Sequence, residues 1–180
     1  MSQPAKTYET FKHGATWLRA DFHLHTRADK EFYYSGPDNE FIKQYVEGLK
    51  SQNIQVGVIT NHNKFDLDEF KALRKAARRE EILLLPGVEL SVGDGANGVH
   101  VLIVFSEQWL EQGKNYIDGF IGSMFIGKDK AEYEQENGKS DQSILQVVGA
   151  LDKFNKDYFL VFAHVGQRSG LWYEMGGGRL

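Results

Sequence analysis

The stretch from Arg19 to Thr26, RADFHLHT, constrains this chain more than any other. Asp21, His23 and His25 alternate with Phe22 and Leu24, the pattern of a strand with two distinct faces. A face carrying a carboxylate and two imidazoles is costly to bury unless something compensates. A bound metal ion does so, because neutral imidazole is a common ligand. A His-x-His pair by itself also fits an exposed edge strand, so the metal reading needs partners elsewhere in the chain.

With 180 residues, 41% of them hydrophobic, the chain closes one core rather than two. It has no cysteine, which excludes a disulfide framework and a thiolate zinc site and makes an intracellular setting the default. No apolar run is long enough to span a bilayer, and the first residues, MSQPAKTYET, lack the apolar segment of a signal peptide. The expectation is a soluble, cytoplasmic protein. A formal net charge of -4 gives no general field for nucleic acid, whose binding would need a local basic patch or a further domain.

Residues 1–16 read as a polar leader, with His13 a surface histidine. After the His-x-His strand, Pro37 suits a first helical turn, and Phe41, Ile42, Tyr45, Val46 and Leu49 recur at helical spacing to about Ser51. QVGVIT, 55–60, reads as a buried strand running into Asn61-His62-Asn63. Residues 66–79 read as a helix whose basic stripe, Lys71, Arg74, Lys75 and Arg78, is its solvated face. An apolar run at 82–85, Pro86-Gly87 and VELSV follow. This order of strands and helices predicts an α/β fold with parallel strands and helical crossovers.

The segment GDGANG, 93–98, matches the dinucleotide fingerprint G-x-G-x-x-G, but it leads into another strand, HVLIVF, and not into a helix. A hairpin turn is the better reading. Residues 107–125 read as helical until Gly119 and Gly122 interrupt, and 128–140 as an exposed polar excursion. Asp141 is the expected cap of a helix whose apolar stripe is Ile144, Leu145, Val148, Leu151 and Phe154. YFLVFA, 158–163, reads as one more buried strand, and the tail after His164 shows no clear element.

His62 directly follows one strand and His164 another, His23 and His25 end the first, Glu89 lies in the third, and His100 opens the strand paired back to it. In parallel α/β folds, side chains at the carboxyl ends of strands converge on one mouth. Several independent histidines at one end make a metal centre.

The motifs His23-Leu24-His25-Thr26, Asn61-His62-Asn63, Pro86-Gly87-Val88-Glu89, His100 before an apolar strand, and Ala163-His164-Val165 resemble, in order and spacing, those of the PHP family, named for polymerases and histidinol phosphatase. The likeness covers about residues 17–170. It implies a distorted TIM-like (βα)7 barrel over 17–180 and two or three divalent ions, zinc, manganese or iron. The implied ligands are His23, His25, His62, Glu89, His100 and His164, with Glu31 as the first-loop acid and Asp29 as its alternative. Asn61 stands where the family often has Asp. The family's closing Asp-x-His has no counterpart after His164, which implies that the last part of the barrel is missing from this chain.

The implied activity is metal-dependent phosphoester hydrolysis, slightly favouring a nucleic-acid phosphodiester, with Arg168 and Arg27 placed to hold phosphate oxygens. GATWLRADFHLHT also resembles the start of PHP domains fused to SMC or AAA ATPases, which implies a C-terminal ATPase partner. The alternatives are a non-catalytic scaffold or regulatory module of such an ATPase, a small-molecule phosphatase of the histidinol-phosphatase kind, and an amidohydrolase-like enzyme acting on a C–N bond.

Overall fold

The computed structural model describes residues 8, 12, 14–135 and 138–176; His13 and most of the leader lie outside the described residues. Three segments form the parallel part of the sheet: β1 (Ala20–Leu24), β2 (Val56–Ile59) and the first half of β3 (Leu83–Val92). The crossovers are α1 (Phe41–Ser51) and α2 (Leu67–Ala77). Pro37 precedes a short 3-10 turn that leads into α1, and the Asp66 side chain caps α2 by accepting from the Glu69 amide at 2.9 Å. Phe41, Val46 and Leu49 of α1 and Phe70, Leu73 and Ala77 of α2 are buried, as the helical spacing predicts. In the basic stripe of α2, Arg74 pairs with Glu107 across 3.3 Å.

β3 is one continuous strand that changes partner midway. Leu83–Pro86 pair in parallel with β2, whereas Gly87–Val92 pair antiparallel with β4 (Val99–Phe105). Pro86, which has no N–H to donate, stands at the handover, where the ladder loses least. Gly87 lets the three strands close on one another there, since a Cβ would lie 2.6 Å from Val58 Cγ1 and 2.9 Å from the Ile103 carbonyl oxygen. The 93–98 segment is the expected hairpin turn, with Gly95 and Gly98 at φ 75° and 89°.

The described residues form a five-stranded mixed sheet in the order β1-β2-β3-β4-β5, with β5 (Tyr158–Phe162) antiparallel to β4. It is a curled half-barrel, consistent with part of a TIM-like barrel, and its last two strands pair antiparallel. β5 was expected to be buried, but it is an edge strand with Phe159 45% exposed. The curl brings the two edges together: Phe22 of β1 and Phe159 of β5 meet edge to face, ring centroids 5.8 Å apart.

The second half departs further from its pattern. After a 3-10 segment at Glu107–Gly113, α3 (Tyr116–Met124) runs straight through Gly119 and Gly122, held by the buried Ile117, Phe120, Ile121 and Met124. The polar excursion contains a one-turn helix, α4 (Lys130–Tyr133), and Tyr133 is buried, its ring stacked on Phe125 at 4.1 Å. Ser143, not Asp141, caps α5 (Ile144–Asp152), in a reciprocal box with Gln146. The buried face of α5 centres on Val147 and Leu151, and Leu145 is 82% exposed. A short helix, α6 (Leu171–Glu174), occupies the tail where no element was expected. Among the described residues no helix is long and apolar enough to cross a membrane.

Two glycines therefore respond oppositely to alanine. Gly87→Ala, at the three-strand crossing, destabilises by about 1–3 kcal/mol through overpacking. Gly119→Ala, in α3 with nothing within 4 Å of its Cβ position, stabilises by about 0.5–1 kcal/mol. Urea unfolding of the two variants against wild type checks both signs.

Candidate metal centre

Glu89 is fully buried in the antiparallel half of β3, and the sheet is arranged so that imidazoles surround it. The Asn61-His62-Asn63 segment continues β2 alongside β3: the Glu89 amide donates to the Asn61 carbonyl at 3.2 Å, and the Asn63 amide to the Glu89 carbonyl at 2.8 Å. This fixes His62 against Glu89. β1 and β2 slip register between Asp21 and Leu24, an irregularity of the kind that re-aims side chains next to functional sites. Because β4 and β5 reverse direction twice, the start of β4 and the end of β5 lie at the same end as the C-termini of β1 and β2.

Glu89 Oε2 lies 2.6 Å from His23 Nε2, 3.4 Å from His25 Nε2 and 3.2 Å from His62 Nε2. Its other oxygen lies 2.7 Å from His100 Nδ1 and 3.4 Å from His164 Nε2. The five histidines that the sequence singles out converge on this one carboxylate. Two donor groups share it, His23–Glu89–His164 and His25–His62–Glu89.

In the first loop Asp29, rather than Glu31, reaches the histidines. A tight turn, in which the Asp29 amide donates to the Thr26 carbonyl at 2.8 Å, carries residue 29 inward. Asp29 Oδ2 then accepts from His25 Nδ1 at 2.8 Å, from His62 Nδ1 at 3.0 Å and from the His62 amide at 2.7 Å. Glu31 stays at the rim, 43% exposed and 3.9 Å from His62 Nδ1. Arg27 donates to Glu69 at 2.9 Å, pairs with Asp38 and lies over the Phe41 ring. Arg168 faces a polar cleft of about 390 Å³ that has His100 and Ser91 in its wall.

Asn61 binds none of these donors. Its side chain accepts from the Thr26 amide at 2.8 Å and donates to Thr26 Oγ1 at 2.9 Å, tying the end of β1 to the end of β2. Thr26 also donates to Glu69. Tyr45 of α1 donates to the His25 carbonyl at 2.9 Å. Sequence reasoning missed the part of Asn63, whose side chain receives the Ser91 amide at 3.0 Å and donates to the carbonyls of Tyr133 and Gly138 at 2.9 and 2.8 Å. Its φ of 49° suits asparagine better than most residues.

The electrostatics fit a divalent cation. Burial would raise the Asp29 carboxyl, but hydrogen bonds from His25, His62 and two backbone amides outweigh it and hold the group far below the usual carboxylate range. Burial also opposes ionisation of Glu89, and His100 and His23 outweigh it. His62 is pushed up: burial lowers it, but the hydrogen bond to Asp29 and the charge of Glu89 more than compensate. His164 is pushed down by burial and by its neighbouring imidazoles, against the pull of Glu89.

Because Asp29 takes the Nδ1 protons of His25 and His62, each ring in its neutral form presents a lone pair at Nε2 toward Glu89 Oε2. Acceptor facing acceptor at 3.2–3.4 Å is unfavourable without a cation. It also matches the spacing of about 3.3 Å between neighbouring tetrahedral ligands that each lie about 2.0–2.1 Å from zinc. Histidine and carboxylate donors without thiolate suit zinc, manganese or iron.

No protein-family model matches the chain, and no curated protein matches it. Among solved structures, it is similar to an amidohydrolase from Chromobacterium violaceum solved with sulfate bound and no metal, at 19% identity over 61% of this chain and 34% of that one, TM-score 0.42. It is also similar to a proposed metal-dependent phosphoesterase from Bifidobacterium adolescentis, at 18% identity over 64% of this chain and 34% of that one, TM-score 0.44. The chain thus spans about a third of the length of these structures.

Asp29→Asn lowers divalent-metal affinity about 10–100-fold, the usual cost of removing a partner that orients ligands, whereas Glu31→Gln stays close to wild type. Calorimetric titration with zinc or manganese reads both. In chelator, Asp29 and Glu89 stabilise the fold through lowered carboxyl pKa values. That contribution is complete above the ordinary carboxylate values of 3.8 and 4.5 and is lost as pH falls below them. The Tm in chelator accordingly drops below about pH 4.5, and less steeply in Asp29→Asn; equal slopes would refute the assignment.

Proposed function

We propose that the chain is a metal-dependent hydrolase of phosphoesters. The observation that carries this reading is the juxtaposition of two His/Glu donor groups on one buried Glu89 with a cleft into which Arg168 brings positive charge. His23, His164 and Glu89 would hold one divalent ion and His25, His62 and Glu89 a second, with His100 beside the first. Bound there, such ions supply Lewis acidity and lower the pKa of water from 15.7 toward about 7.

The chain's own residues do the rest. Glu89, fixed on both sides by backbone pairing, sets the distance between the two donor groups. Asp29 holds the rings of His25 and His62 in one tautomer with their Nε2 atoms directed inward. Arg168 can donate to a phosphate oxygen through its guanidinium, which forms no ion pair among the described residues, and a charge-assisted contact of this kind orients the phosphoryl group against the donors. The donor set alone would equally serve hydrolysis of a C–N bond; the unpaired arginine beside it favours an anionic substrate. The preference for a nucleic-acid phosphodiester and the C-terminal ATPase partner are implications of the sequence resemblance alone.

With zinc or manganese the protein turns over bis(p-nitrophenyl) phosphate, loses this activity in chelator and regains it when metal is restored. Glu89→Gln abolishes turnover. Arg168→Ala raises KM roughly tenfold, the loss of one charge-assisted hydrogen bond of about 1.5–3 kcal/mol, with a smaller effect on kcat. Stoichiometric metal without turnover of any phosphoester would contradict the enzyme and leave the scaffold.

A further inference from the structure

Lys139 belongs to the polar excursion that the sequence presented as mere exposed surface, yet its backbone is among the most firmly held in that half of the chain. On one side, the Asn63 side chain donates to the Gly138 carbonyl at 2.8 Å. On the other, the Ser140 amide donates to the Ser91 carbonyl at 2.8 Å, and Ser140 is fully buried with its hydroxyl on the Met124 carbonyl. The Lys139 carbonyl itself accepts from Lys128 Nζ at 2.9 Å. Residue 139 is thereby placed in the wall of the cleft of about 390 Å³ that also contains Arg168, Ser169, Ser91 and His100.

Ser91 pairs directly with His100 in the β3–β4 ladder, so the cleft lies directly against the donor groups. Lys139 Nζ donates to the Ala96 carbonyl at 3.3 Å. Among the described residues neither Lys139 nor Arg168 forms an ion pair. Glu174, an acid bonded to the cleft residues Asn97 and Ser169, is engaged by the Asn97 amide at 2.9 Å, the Asn97 side chain at 3.0 Å and the Ser169 amide at 3.2 Å. Two cations that have no carboxylate partner among the described residues therefore face one cleft beside the metal centre. Its volume is within the roughly 300–1,000 Å³ range of small-ligand sites, more room than one phosphate needs.

We infer that Lys139 is a specificity-determining residue that binds a second anionic group on the substrate, apart from the phosphoester held by Arg168 and the metal donors. This rests on the phosphoester reading and narrows it to substrates carrying two anionic groups. Asn63 links the two functions, because the residue next to the ligand His62 also anchors the segment that presents Lys139.

The test uses the full chain loaded with manganese and three probes built on one skeleton: glycerol 3-phosphate, 3-phosphoglycerate and glycerol 1,3-bisphosphate. Wild type favours one or both doubly anionic probes over glycerol 3-phosphate, by calorimetric binding and by phosphate release. A preference for 3-phosphoglycerate identifies a carboxylate, and one for the bisphosphate a phosphate. Lys139→Ala lowers that preference about tenfold, the scale of one charge-assisted contact, and Lys139→Arg restores most of it. No preference in wild type, or a preference that Lys139→Ala leaves intact, overturns the inference. Turnover of bis(p-nitrophenyl) phosphate by the same wild-type sample reports separately on the phosphoester reading, so failure of one is distinguishable from failure of the other.

Discussion

A single carboxylate at the centre of five imidazoles governs this structure. An isolated buried carboxylate costs several kcal/mol, and Glu89 has no accessible surface. Among the described residues no lysine or arginine pairs with it; its partners are the side chains of His23, His25, His62, His100 and His164. Such an arrangement is tolerable only when positive charge is shared among the rings or supplied by cations between them. Since removing a buried charge's partners is far more damaging than never burying it, the placement of each histidine is bound to the stability of the sheet as well as to its chemistry.

The sheet is shaped to meet that demand. β3 turns from a parallel to an antiparallel partner at Pro86-Gly87, so ligands arrive from strands of both senses. The curl carries His23 and His164, on opposite edges of the sheet, to ring centroids 5.4 Å apart. His164 reaches its position at φ 29°, a conformation that costs a non-glycine residue of order 1–3 kcal/mol. It is held there because Gly170 packs so closely on its carbonyl that a Cβ at that position would overlap it.

The sequence made the centre more legible than its surroundings. His23, His62 and His164 could be placed because each is coupled to a strand end, and strand ends in α/β folds have few ways to be arranged. Glu31 was preferred to Asp29 because spacing along a loop says little about which side chain a turn directs inward. The pairing of Arg27 with Glu69 was not legible because Glu69 lies on a helix distant in sequence. The stripe on α5 is right at Ile144, Leu151 and Phe154 but not at Leu145, because Leu145 and Val147 are both apolar and only tertiary packing decides between them. Lys139 was invisible because its position depends on hydrogen bonds that its neighbours Gly138 and Ser140 make with Asn63 and Ser91, far away along the chain.

The account stands on cations shared through Glu89. Anomalous scattering from crystals grown with manganese or zinc tests this directly. It predicts two peaks, one within coordination distance of His23, His164 and Glu89 and the other of His25, His62 and Glu89. Peaks that do not touch Glu89, or none in crystals saturated with metal, would contradict it.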